Sequence, residues 1–337
     1  MKIKVIILTI ITLLAACKKD KTSPEIADED CYDFENMPDF QFISYVNKRF
    51  EYMAPYFNPN NPNEFIYHFR DNEQEQYQLY KYNLQTEQKT LIVESGKIWR
   101  QPKWSSKGWI AFTHHIGYVD HIYIVKDNGD SLIQFTENTA NYDPAWSASG
   151  DELYWVHTPI VGGPRYFLEK SLNNEIIDTL LNPEDSYSGS SLYNEISSNN
   201  HLLSLTRIND NPHIAKTSLN ELPLTFTSII DMFQVFNHPN PNGLCWSNDG
   251  ESIFITSKDG LYKIDVNSVS NELLIPFCNS KAYGTISASS DGKYLIGERG
   301  DSQLIIEEGA SSAELITERS IYLIDLQTLE ETKIDLE

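Results

Sequence analysis

The side chains that recur at matched positions in this 337-residue chain, and that carry chemistry, are cations. Counting four residues on from an apolar residue in comparable stretches gives His114 from Ile110, His157 from Leu153, Arg207 from Leu203 and Arg299 from Leu295. The same count gives Ser257 from Ile253, and Phe69 from Phe65, flanked by His68 and Arg70. Imidazole and guanidinium groups set around one face would receive carboxylate or phosphate groups. The candidate binding rim is therefore His114, His115, His157, Arg207 and Arg299, with His121, Arg165 and His213 in the same set of loops. A stronger version would build a metal site from His114, His115 and His157, but no metal-motif spacing accompanies them and no metal is assigned. The plainer reading is that strand ends favour polar residues, which pair with nearby acids for little gain when exposed. No P-loop, G-x-G-x-x-G, H-E-x-x-H or EF-hand loop occurs, so no catalytic residue and no cofactor is assigned.

The elements that must position these residues are strands. After about residue 39 no long apolar pattern of period 3.6 appears. Short alternating runs rich in Tyr, Ile, Leu and Thr are separated by Asn, Asp, Gly and Ser, an all-β signature. The runs repeat. A bulky residue stands before a polar turn at Phe57, Trp104, Trp146, Ile196, Trp246 and, in smaller form, Ala288, at steps of 47, 42, 50, 50 and 42 residues. Each unit continues into a second marker strand, such as DHIYIVKDNG or DGLYKIDVNS, and then a short apolar strand such as TLIVE or NELLI. Four strands per unit and six units predict a six-bladed β-propeller of four-stranded antiparallel blades, because one blade cannot bury both faces alone. Trp104, Trp146 and Trp246 are expected to fill the wedges between blades. Asn248-Asp249-Gly250 and Ser290-Asp291-Gly292 are expected to turn the first hairpins, with Lys107-Gly108 and Gly150-Asp151 as variants. The sixth unit completes its own fourth strand near Lys333-Ile334-Asp335, so residues 39–47 are an extra strand or a plug, and the closure of the ring is left open.

The word W-S-x-x-G-x-x-I-x-F/Y, followed by an I/L-Y strand, resembles the WD40-like repeat of TolB-type and dipeptidyl-peptidase-type propellers. The resemblance covers about residues 48–337 and implies a fold and a binding role. It does not extend to peptidase chemistry, because no G-x-S-x-G elbow occurs; Ser190 and Ser311 lack the second glycine.

The N-terminus reads as an address. Lys2 and Lys4 precede an apolar run, Val5 to Leu14, too short to span a bilayer. Leu13-Leu14-Ala15-Ala16-Cys17 resembles a bacterial lipobox, which implies cleavage after residue 16 and diacylation of Cys17, with two chains giving stable anchoring. Residues 17–38 then form a flexible tether, and residues 39–337 the propeller. Removing residues 1–16 removes two lysines and no acids, leaving 24 basic (26 − 2) against 48 acidic side chains, net −24. Such a surface repels nucleic acid, so no nucleic-acid partner is expected. Export permits disulfides. Cys31, Cys245 and Cys278 leave three single pairings open, and buried free thiols at Cys245 and Cys278 are the expected state.

The function expected is that of a lipid-anchored module of the bacterial envelope, periplasmic or cell-surface with the outer membrane favoured. It would bind or scaffold protein partners or a carbohydrate or peptide ligand. The alternative is a propeller enzyme, a polysaccharide lyase or hydrolase, with a His/Arg site on the loop face. Two inserts exceed what a blade connection needs: residues 297–320, and residues 227–243, whose Met232, Phe233, Val235 and Phe236 would form an apolar lid or pack on a blade edge.

Overall fold

The computed structural model describes residues 42–337, except 96–97, 118, 138, 161–162, 182–193, 209–210, 233–240, 279 and 307–311. The leader, Cys17 and the tether lie outside the described residues. A lead-in strand, β1 (Phe42–Asn47), precedes the blades. Blade one holds β2 (Phe50–Asn58), β3 (Asn61–Asp71), β4 (Gln76–Asn83) and β5 (Gln88–Ser95). Blade two holds β6 (Ile98–Trp104), β7 (Trp109–Ile116), β8 (Val119–Lys126) and β9 (Ile133–Gln134). Blade three holds β10 (Ala140–Trp146), β11 (Glu152–Thr158), β12 (Tyr166–Ser171) and β13 (Ile177–Leu181). Blade four holds β14 (Glu195–Ile196), β15 (His201–Ile208), β16 (Asn211–Ser218) and β17 (Thr227–Asp231). Blade five holds β18 (Gly243–Trp246), β19 (Ser252–Thr256), β20 (Gly260–Asp265) and β21 (Asn271–Pro276). Blade six holds β22 (Lys281–Ala288), β23 (Tyr294–Ile306), β24 (Ser312–Asp325) and β25 (Glu331–Lys333), with β1 added. Strands within each blade pair antiparallel in chain order, so the six-bladed propeller read from the repeat is the observed fold.

The repeated word acts through its serine and its turn residue. Ser105, Ser147, Ser197, Ser247 and Ser289 each accept, at Oγ, the backbone N–H that opens the second strand, at 2.9 to 3.1 Å. Each serine carbonyl also accepts an N–H from the residue three positions on, which is Gly108, Gly150, Asn200, Gly250 or Gly292. All five have positive φ, between 60° and 78°, which glycine reaches without strain and asparagine tolerates. The hairpin therefore has one geometry, set by Ser and Gly, in blades two to six.

Packing between blades supplies the core. Six apolar clusters each join two neighbouring blades, for example Ile66 and Leu79 with Trp104 and Ile110, or Ile214 and Ile230 with Trp246 and Ile253. Trp104, Trp146 and Trp246 are at most 7% exposed and fill wedges as expected. The indole N–H of Trp146 also donates to the Lys103 carbonyl, and that of Trp246 to the Glu195 carbonyl, each on the preceding blade.

Blade six closes the ring. Phe57, Phe65 and Tyr82 of blade one pack on Ile296, Ile321, Ile334 and Leu336. Residues 297–306 and 312–320 are not a loop insert: they lengthen β23 and β24, which pair from Tyr294↔Asp325 out to Ile306↔Ala313. Residues 42–47 are the extra strand, running parallel along the outer half of β24 from Phe42↔Ser312 to Asn47↔Thr317, while β25 pairs with its inner half. Of the lid residues, Met232 is fully buried in the core between blades four and five, and Phe233, Val235 and Phe236 lie outside the described residues. Cys245 is a buried free thiol as expected, but Cys278 is not: it carries a disulfide whose partner lies outside the described residues.

Candidate functional site

The inner strands of the six blades surround a central channel. At the end where the first hairpins turn, the channel opens into a cavity of about 270 Å³. Its wall is the repeat itself: Phe57, Trp104, Trp146, Ile196, Trp246 and Ala288, with the turn residues Ser105, Ser147, Ser197, Ser247 and Ser290. The hydroxyls of Ser105, Ser147, Ser197 and Ser247 are taken up inside their own hairpins, so the polar groups of the lip are those of Ser106, Ser198, Asn248 and Ser290, over an apolar collar.

Beneath the collar lies the ring formed by the residue just before each of those positions: Tyr56, Lys103, Ala145, Glu195, Cys245 and Ser287. Lys103 on β6 and Glu195 on β14, two blades apart, form a buried ion pair and are 6% and 5% exposed. The Lys103 ammonium also donates to Gln101 Oε1 at 2.9 Å and sits 4.7 Å from the centre of the Tyr56 ring. Gln101 is fixed in turn by donating to the carbonyls of Pro55 and Ile286. Burial raises the Glu195 pKa, and Lys103 opposes it by attraction and hydrogen bonding. Burial, with the nearby Glu195 charge, also pushes the Tyr56 hydroxyl and the Cys245 thiol well up, so both stay protonated and Cys245 is a poor nucleophile. The ring carries one positive and one negative charge that cancel. These residues escape a search for recurring types, because the position holds six different side chains. The available signal was the alignment itself, which sets Lys103 in QPKWSS and Glu195 in NEISS at one level of the channel.

The sequence-derived rim lies at the other end, where second strands pass into third strands. His114 faces His121 across β7 and β8, and its ring lies 5.1 Å from that of Tyr123. Burial lowers its pKa, and the neighbouring His121 and His115 lower it further. His115 Nδ1 lies 2.8 Å from Asp120 Oδ1. His157 Nδ1 lies 3.0 Å from Oδ1 of the buried Asn141, the atom that also accepts from Trp155 Nε1, and burial lowers its pKa too. At neutral pH His114 and His157 are therefore uncharged. Arg299 is bound within its own blade: it pairs with Asp301 at 2.8 Å and Glu331 at 3.2 Å, and lies 3.6 Å over the Tyr322 ring. Arg207 stands opposite Pro212 in the β15–β16 ladder. The structure therefore places these residues at equivalent strand ends of different blades, each beside partners of its own blade where its side chain is described. No group of three His, Cys, Asp or Glu among the described residues is arranged to hold a metal ion.

On the same side, a charge network that the sequence did not announce joins the first and last blades. Arg319 of β24 reaches Glu298 Oε1 at 2.6 Å and Glu51 Oε1 at 3.2 Å. Glu51, 1% exposed, is also held by Arg70 and Asn72, and Glu298 accepts from the Ala54 backbone N–H and from Thr285.

No family model and no curated protein matches the chain. Among solved structures it is similar to TolB from Acinetobacter baumannii, with a TM-score of 0.57 at 14% identity over 88% of this chain and 64% of that one. The fold is a TolB-like β-propeller. The chain spans just under two thirds of that TolB's length. It is also similar to the β-propeller domain of the trilobed protease from Pyrococcus furiosus, at TM-score 0.52 and 10% identity, covering 85% of this chain and 84% of that one. An oligogalacturonate lyase from Vibrio parahaemolyticus aligns at TM-score 0.50 and 10% identity, over 84% and 77%. At such identities the shared property is the ring of blades; the chemistry belongs to each protein's own side chains.

Proposed function

We propose that this protein is a lipid-anchored β-propeller of the bacterial envelope that works as a binding and assembly module. Its ligand site is the channel mouth, and the ligand class is a neutral polar group, such as a sugar or an uncharged peptide end. The carrying observation is the cavity of about 270 Å³ walled by Trp104, Trp146 and Trp246, with Ser106, Ser198, Asn248 and Ser290 at its lip and Glu195, paired with the buried Lys103, in its lining. A site of this kind offers shape and hydrogen bonds. It offers little acid–base chemistry: the carboxylate and the ammonium are committed to each other, and the Tyr56 and Cys245 protons are held tightly. Anchoring through Cys17 is supported by the lipobox-like sequence, and an extracytoplasmic place by the same segment.

The test has two parts. Cys17→Ser is expected to move the protein from the detergent-extracted membrane fraction to the soluble one; retention in the membrane fraction refutes the anchor. A bulky Ser198→Trp at the cavity lip is expected to abolish binding of short neutral oligosaccharides or uncharged peptides, measured by calorimetry on the folded protein. Unimpaired binding would move the site elsewhere. The competing reading, a polysaccharide lyase or hydrolase on the opposite face, takes support from the equivalent strand-end positions of His114, His157 and Arg299. Turnover of an acidic polysaccharide, lost on replacing His157 and Arg207 together with alanine, would establish that reading instead.

A further inference from the structure

Two polar groups at the floor of the mouth cavity are left unbonded. Tyr56 on β2 and Glu195 on β14 both line the cavity, from blades one and four, on opposite sides of the ring. Glu195 is 5% exposed and meets Lys103 through Oε1, while its Oε2 has no hydrogen-bond partner among the described residues. The Tyr56 ring lies against the Lys103 ammonium, and its hydroxyl has no partner either. The two groups are close enough for the Glu195 charge to raise the Tyr56 pKa. We infer that the mouth takes a sugar ring, with one ring hydroxyl bridging Tyr56 and Glu195 at the floor. This rests on the channel mouth being the ligand site.

The polarity of the floor selects a hydroxyl. As the partner of the Lys103 ammonium, Glu195 is a carboxylate, which only accepts hydrogen bonds. Tyr56 keeps its proton and donates it. A hydroxyl gives its own proton to Glu195 and takes that of Tyr56, so one atom of the ligand satisfies both. An ether or a lone carbonyl leaves Glu195 Oε2 unmet, which is costly at a buried site. An ammonium sets a second positive charge beside Lys103.

The lip adds a second polar level. Ser106 donates its hydroxyl proton to the Ser149 carbonyl at 2.9 Å, and Ser198 donates to the Asn248 carbonyl at 3.2 Å, so both keep lone pairs to accept with. The Asn248 side-chain amide and the Ser290 hydroxyl have no partner among the described residues. Between floor and lip stand the apolar walls of Trp104, Trp146 and Trp246. A pyranose has this layout, with hydroxyls around its edge and C–H groups on its faces. An uncharged peptide end carries its polar atoms at one end only. The cavity of about 270 Å³ equals roughly nine water volumes, the room of one ring rather than of an extended chain. Tyr56 and Glu195 below, with Asn248 and Ser290 above, are the residues that set specificity.

The experiment is calorimetric titration of the folded full chain. The probes are the methyl pyranosides of glucose, galactose, mannose and xylose with their single-deoxy analogues, and acetamide and N-acetylglycinamide as uncharged peptide ends. The expected result is saturable binding of at least one methyl pyranoside, abolished by Ser198→Trp. The deoxy analogue lacking the bridging hydroxyl is expected to bind roughly tenfold more weakly or worse, because it leaves Glu195 and Tyr56 unmet. Tyr56→Phe keeps the ring against Lys103 and is expected to weaken the parent pyranoside about 2–12-fold while leaving that deoxy analogue unchanged. Equal weakening of parent and deoxy analogue by Tyr56→Phe overturns the bridge. Binding of the amides but of no pyranoside, blocked by Ser198→Trp, overturns the sugar assignment and leaves the mouth as the ligand site. Pyranoside binding that Ser198→Trp leaves intact overturns both. Binding by none of these probes overturns the sugar assignment.

Discussion

At the residue scale the decisive pair is Lys103 and Glu195. Both are buried, and each is expensive to leave alone in the channel. Glu195→Gln or Lys103→Met is therefore expected to cost about 3–5 kcal/mol in urea unfolding, while Lys103→Met with Glu195→Leu should cost clearly less. Losses that add in the double variant would show that the pair does not act as a unit. A second residue effect concerns His68, which is 3% exposed with no partner at Nε2, and whose pKa burial lowers from 6.5 to about 3. Between those values the unfolded chain takes up a proton that the folded chain refuses, so stability falls as pH drops from 6.5 toward 3 and is level above 6.5. The slope is at most about 1.4 kcal/mol per pH unit. His68→Phe is expected to remove that slope, which denaturant titrations at pH 7 and pH 4.5 will reveal.

At the element scale the unit is the Ser–Gly hairpin. Its serine satisfies the N–H that opens the second strand, and Ser247→Ala, which also removes the hydroxyl's donation to Asp249 and the Ser252 carbonyl, is expected to lose about 1–2 kcal/mol. The turn glycines are not equivalent. Gly250 has φ of 71°, and a Cβ there would meet only the end of the Asn199 side chain closely, at 3.3 Å, so alanine there meets mainly backbone strain, about 1–2 kcal/mol. At Gly150 a Cβ would lie 2.6 Å from Ser106 Oγ and 3.1 Å from Lys107, on the turn of the neighbouring blade. Gly150→Ala is therefore expected to destabilise more than Gly250→Ala in paired thermal melts; the reverse order would mean that neighbouring turns do not press on each other. The long β23–β24 hairpin follows the same logic of satisfied edges. Its outer strand would expose unpaired backbone beyond the blade, and β1 covers that edge.

At the scale of the whole molecule the ring is closed by side chains and one added strand. Arg319 bridges Glu51 of blade one and Glu298 of blade six, with both carboxylates nearly sealed from water. Arg319→Met is expected to lower stability by about 2 kcal/mol, less than a fully buried break because Arg70, Asn72 and the Ala54 N–H remain. Loss of the same size in a variant where Glu51 and Glu298 are both glutamine would assign the effect to something other than charge. Glu318 holds Lys48 at the end of β1 and Lys333 of β25, and these contacts lower its pKa from 4.5 to about 2. Its contribution is present above pH 4.5 and is lost as pH falls toward 2, a more acid window than that of His68.

The sequence alone determined the ring. Six copies of a Trp/Ser word, with glycine or a substitute at the turn and four strands per copy, admit one way to bury both faces of every blade, and the strands, turns and wedges appear where the repeat put them. That part is legible because it is local and periodic. The rim residues were legible as positions but not as partners: His115 beside Asp120, and Arg299 between Asp301 and Glu331, are choices made by side chains across a ladder. The channel pair, the Arg319 bridge and the disulfide state of Cys278 were decided by the tertiary structure. The pair and the Arg319 bridge each join residues from strands far apart in sequence, in blades that meet only once the ring has closed. No spacing along the chain encodes which of them will meet.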